Sequence, residues 1–135
     1  MTMPAGMVLI SPWLDLSVTA KSYRDNSKSD AMFSENAAKE AAAAYLGAAS
    51  AYDPIASPFH GDVEGLPSTI IFASRSEVLF DDSMIFAQSL SDSRVEVQLF
   101  GKENMSHIWP IILLDHDETK IARKIISEFI QRVAT

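Results

Sequence analysis

Two stretches of this chain, GMVLI (6–10) and STIIFAS (68–74), carry apolar residues at consecutive positions rather than at every second one. A strand reads this way when both of its faces are buried. That happens when strands run parallel in a sheet with helices laid over it. A third stretch, RVEVQLF (94–100), alternates, with Val95, Val97 and Leu99 on one face and Glu96 and Gln98 on the other. That pattern fits an edge strand with one wetter face.

Helix signals lie between and after these runs. Ser34 is placed to cap a helix over SENAAKEAAAAYLG, stopped by Gly47. Asp81 or Asp82 is placed to cap a helix over SMIFAQSLSD, with Met84, Ile85, Ala87 and Leu90 as its apolar stripe. DETKIARKIISEFIQRV (117–133) opens on acids near the positive helix end, and its stripe is Ile121, Ile125, Ile126, Phe129, Ile130 and Val133. The segments 13–30 and 52–67 read as irregular, the second holding three prolines and two glycines. Strands alternating with helices make an α/β fold with parallel strands joined by right-handed crossovers.

Several function classes drop out on composition. At 135 residues the chain fits one domain, 1–135, with room for a core. A formal charge of −7, with no Lys/Arg cluster, argues against nucleic acid. No apolar run approaches a membrane span, and no basic segment precedes the apolar run near the start, so a soluble, cytoplasmic protein is expected. The absence of cysteine excludes disulfides and thiolate metal sites. His116 stands among Asp115, Asp117 and Glu118, but acids opening a helix explain that group better than a metal does. The five glycines are scattered, and none of them builds a phosphate loop. His60 sits in a loop beside Gly61 and reads as a surface residue.

In parallel sheets, functional groups collect in loops at the carboxyl ends of strands. Three such loops are visible: SPWLDL, SRSEVLFDD and GKENMSHIW. His107 lies in the third, while Glu77 and the Asp81–Asp82 pair lie in or near the second. A carboxylate and an imidazole from adjacent strand ends are the partners a general base needs; an ordinary loop histidine is the alternative.

PAGMVLISPWLDL, DPIASPF, GLPSTIIFAS, SEVLFDDS and MSHIW, in this order, resemble the C-terminal half of α/β-hydrolase-fold esterases of the hormone-sensitive-lipase type. The resemblance implies a truncated α/β-hydrolase fold, with three mainly parallel strands, flanking helices and part of a helical cap at 17–53. It also implies ester hydrolysis by a Ser–Asp/Glu–His triad with no cofactor. His107 in MSHIW matches the triad histidine. The commonest family pattern has Asp just before the Glu-Val-Leu unit; that position here is Ser76, so the acid role passes to Glu77.

The nucleophile is the larger departure. The family's serine sits in a G-x-S-x-G turn, and this sequence contains none. The HGGG-type oxyanion loop is missing as well. Ser106 and Ser11 are poor substitutes, the first as a sequence neighbour of His107, the second for want of a sharp turn. The chain alone is therefore expected to be inactive, acting on a small ester only when an N-terminal half completes it. A non-catalytic oligomerising or binding remnant is the alternative. In the intact fold GMVLI is an interior strand; without its outer neighbour it becomes an uncharged edge, which predicts a homodimer. Tyr23, Met32, Phe33 and Tyr45 are candidates for the pocket wall that the cap supplies.

Overall fold

A computed structural model describes residues 2–134, so the two ends of the 1–135 span lie outside the described residues. Strands β1 (Met7–Ile10), β2 (Thr69–Ser74) and β3 (Val97–Lys102) form a parallel sheet in the order β1-β2-β3. Leu9 pairs with Ile71, which pairs in turn with Leu99.

The continuous apolar run of β2 has the predicted cause. Every residue of the strand is buried. Ile71 packs with Phe86, Ala87 and Leu90 of helix α3 (Phe80–Asp92). Ile70 and Phe72 pack on the opposite face with Ala122 and Phe129 of helix α5 (Asp117–Val133). Burying each such side chain is worth about 1.5–3 kcal/mol. A third apolar cluster ties the segment 14–46 to the turn after β2: Tyr23 and Leu16 meet Val78 and Leu79, with Ala38 and Ala42 of helix α2 (Glu35–Leu46). Ser34 caps that helix by accepting from Ala37 N at 3.2 Å, and Gly47 ends it at φ +55°.

Five expectations change. The segment 13–30 is not wholly irregular, since a single-turn helix α1 spans Ser22–Asp25, held by a bond from Ser22 Oγ to Val78 O at 2.5 Å. Helix α3 starts at Phe80 with neither Asp81 nor Asp82 as its cap. Asp82 instead accepts from Leu14 N at 2.9 Å and Asp15 N at 3.1 Å, and Asp81 accepts from Ser22 N. The stripe of α3 is rotated, because it buries Phe86 with Ala87 and Leu90 while Met84 and Ile85 are exposed. On α5, Ile121 and Ile130 are exposed, and small Thr119 and Ala122 make the close approach. β3 also begins at Val97, later than the alternation suggested, although Val95 is buried in the core.

Candidate active site

The three strand-end loops converge, each held by side chains of the others. Ser11 follows β1 at φ +46°, with its amide donating to Phe72 O at 2.7 Å, so sheet pairing continues one residue past the strand. The turn after β2 is built on Ser74: its hydroxyl accepts from Ser76 N at 3.1 Å and donates to Met105 O at 2.6 Å in the loop after β3. Ser76, where the family's commonest pattern has Asp, accepts from Asn104 N at 3.1 Å. Asn26 Nδ2 donates to Arg75 O and Glu77 O, and Asp30 accepts from Val78 N, which clamps the same turn from the other side.

Glu77 is therefore aimed inward and is 1% exposed. Its Oε2 lies 3.1 Å from Nδ1 of His107, across 30 positions of sequence. The backbone after the histidine turns sharply, with Ile108 at φ +51°. Trp109 then opens helix α4 (Trp109–Ile112), buried edge-on against Phe72 at a centroid distance of 6.0 Å. That anchor fixes the far end of the histidine loop.

The pairing settles which ring nitrogen bears the proton. An ionised carboxylate only accepts, so Nδ1 donates to it; in the neutral ring Nε2 is then the basic nitrogen. The bond to Glu77 holds the His107 ring above the ordinary imidazole value. Burial works the other way, and the charges of Glu77 and Asp30 add to the rise. The ring stacks with Phe33 at 6.2 Å and lines a cavity of about 330 Å³ with Asp30, Met32, Ser76, Asn104 and Met105.

The remaining candidates separate. Of the four residues proposed for a pocket wall, Met32 and Phe33 stand beside His107. Tyr23 is buried in the core and Tyr45 is exposed. His60 is exposed, as a surface residue should be, and its Nε2 lies 3.2 Å from Oδ1 of the buried Asp15. His116 caps α5, its Nδ1 accepting from Glu118 N at 3.2 Å. Ser106 makes no bond to the histidine; its buried Oγ has no hydrogen-bond partner among the described residues. Ser11, a poor nucleophile by its sequence context, donates its hydroxyl to Glu77 Oε2 at 2.8 Å. No short-range pattern announces that bond, because the two residues stand 66 positions apart.

Residues 1–111 match the family model described as the alpha/beta hydrolase fold. The chain belongs to that family. Among curated proteins it is 34% identical over 128 residues to an esterase of Acinetobacter venetianus, covering 94% of this chain and 42% of that protein. It is 32% identical over 107 residues to an acetyl-hydrolase of Streptomyces hygroscopicus, covering 79% of this chain and 36% of that one. Among solved structures it matches EstE5, soaked with ethyl alcohol, at TM-score 0.92 and 33% identity, covering 97% of this chain and 44% of that one. It also matches an esterase of the bacterial hormone-sensitive lipase family at TM-score 0.94 and 29% identity, covering 99% of this chain and 45% of that one. The chain thus spans less than half the length of these α/β hydrolases, and it corresponds to the C-terminal portion of the hormone-sensitive-lipase type.

Proposed function

We propose that this α/β-hydrolase chain is the acid-and-base portion of a carboxylic-ester hydrolase. His107 is the general base and Glu77 the acid that orients it, while the nucleophilic serine comes from residues this sequence does not contain. The observation carrying the proposal is the pairing of Nδ1 with a buried carboxylate at 3.1 Å, on a ring that lines a cavity. In that geometry Nε2 takes the proton from an attacking hydroxyl as it adds to the ester carbonyl. It then returns the proton to the departing alcohol, and repeats the cycle with water to release the acid. The Glu77 carboxylate stabilises the imidazolium that forms in each addition. Segment 17–53, carrying Met32 and Phe33 to the ring, serves as the cap over a small acyl group. No helix among the described residues is long and apolar enough to cross a membrane.

The test is a chimera in which this chain replaces the corresponding portion of the Acinetobacter esterase, assayed with p-nitrophenyl butyrate. Turnover by the chimera, lost by at least about a hundredfold in His107→Ala, supports the proposal. A folded chimera whose turnover is indifferent to His107 sinks it. The chain by itself should not exceed free imidazole.

A second reading rests on a different surface. β1 is hydrogen-bonded on one side only, to β2, among the described residues. Beside it Ile10, Pro110, Ile111, Leu114, Ile126 and Ile130 line an apolar groove of about 560 Å³. An edge and a groove of this kind favour self-association as a dimer, whether or not the chain is catalytic. Size exclusion at tens of micromolar should show the dimer, and Ile10→Lys should dissociate it. A clean monomer at that concentration refutes it.

A further inference from the structure

We propose that the Ser11 hydroxyl is a positioning group for the Glu77–His107 pair, holding the carboxylate in place and taking up part of its charge. The role rests on the proposed assignment of that pair as acid and base. Three measurements carry it. Ser11 Oγ donates to Glu77 Oε2 at 2.8 Å, the same oxygen that faces His107 Nδ1 at 3.1 Å. The same Oγ accepts from the amide of Ile108, the residue after the histidine, at 3.0 Å. Ser11 is 5% exposed, and its bond to Glu77 is buried. One side chain at the end of β1 therefore links the turn after β2 to the loop after β3.

Glu77 Oε1 is buried and has no hydrogen-bonding partner among the described residues. The carboxylate's charge is thus met by two side-chain donors, Ser11 and His107, both on Oε2. Bonds to an ionised acceptor are stronger than those between neutral groups, so the donation to Glu77 outweighs the acceptance from Ile108. Removing the hydroxyl leaves the imidazolium as the sole donor to that oxygen, and the proton on His107 is held more tightly. The charged groups lining the cavity around the ring are Glu77 and Asp30; Asp30 accepts from the amides of Met32, Phe33 and Val78, so a change at Ser11 reaches the ring through Glu77.

The position itself is strained, since φ +46° costs a non-glycine residue about as much for alanine as for serine. Ser11→Ala removes the hydroxyl and keeps the strain, whereas Ser11→Gly removes both. The experiment is a nitrogen-15 NMR titration of His107 in the full chain, for the parent and both variants, with thermal unfolding measured alongside. In both variants the ring's titration midpoint should move upward by about half a pH unit or more, whichever way stability moves. A midpoint that stays put or falls in the variants, while the protein remains folded, overturns the proposal. Because the titration needs no ester turnover, its failure is distinguishable from failure of the hydrolase assignment.

Discussion

Asp82 sits at the junction of the site's supports, and its ionisation should be visible in the stability of the fold. The carboxylate is 1% exposed and accepts from Leu14 N and Asp15 N, which pins the loop after β1 onto helix α3. Burial pushes its pKa from 3.8 up to about 6, the two amide bonds opposing the rise and the nearby charges of Asp15 and Asp81 adding to it. An acid raised in the folded state binds protons more readily folded than unfolded, so this group stabilises the fold progressively as pH falls through 6 toward 3.8. Across that whole range the effect is on the order of 3 kcal/mol. Between pH 8 and pH 5 the native chain should recover about 1.4 kcal/mol of it, because half-protonation occurs near pH 6 when folded and well below pH 5 when unfolded. Asp82→Asn keeps an oxygen for the two amides and removes the charge. The comparison is urea unfolding of both proteins at the two pH values. With a slope of about 2 kcal/mol per molar urea, the difference in midpoints should move by about 0.7 M in favour of the native chain at pH 5. Titrating groups that do not couple to Asp82 are common to both proteins and cancel, and Asp15 and Asp81, which do couple to it, are smaller causes of its shift than burial. A difference that is flat with pH, or that moves the other way, refutes the desolvated-carboxylate account.

Three further outcomes follow, two from the site and one from the core. The base form of His107 is neutral, so chimera turnover should fall as pH drops through the raised His107 value. In Glu77→Gln that acidic limb should move to lower pH as the maximal rate falls at least about tenfold, read from a pH–rate profile. For folding stability the sign is opposite: the His107–Glu77 bond contributes fully below the ordinary imidazole value and is lost as pH rises through the raised one. Ile71→Ala, at a fully buried site between Leu9 and Leu99, should cost about 2–5 kcal/mol by denaturant titration.

What the sequence made legible was local or periodic. The consecutive apolar residues of β2 announce burial on both faces, and Ile70, Ile71 and Phe72 are buried against different helices. Ser34 at the start of α2 and the span of α5 are short-range signals, and both are where the residues put them. Periodicity misjudged part of the faces of α3 and α5, because hydropathy counts Ile85 and Ile130 as core while both are exposed and Phe86, absent from the predicted stripe, is buried. Ser83 is buried on α3, and the small Ala122 of α5 packs with Ile70 and Phe72 of β2. Asp82 carried a plausible capping signal, but the amides it serves lie 67 and 68 positions earlier. His107 and Glu77 were singled out by placement and by family resemblance, and the structure sets them 3.1 Å apart.

The hydrogen bonds around the pair explain why it is held in place within these residues. A buried carboxylate is tolerated only where donors meet it, and an imidazole tethered on a loop keeps one orientation only if both ends of the loop are fixed. Here Ser74 and Ser76 fix the near end through Met105 and Asn104, and Trp109 fixes the far end by packing on Phe72. Asn26 and Asp30 hold the acid's turn from the segment 17–53, so that segment acts on the site through backbone bonds as well as through Met32 and Phe33 at the cavity. Serine and asparagine side chains do most of this work because they are short and can bond backbone groups of a second loop at close range. An aspartate at position 76 would place a second charge next to Glu77 in sequence. With serine there, the same position bonds Asn104 N as a neutral acceptor and leaves Glu77 as the carboxylate that faces His107.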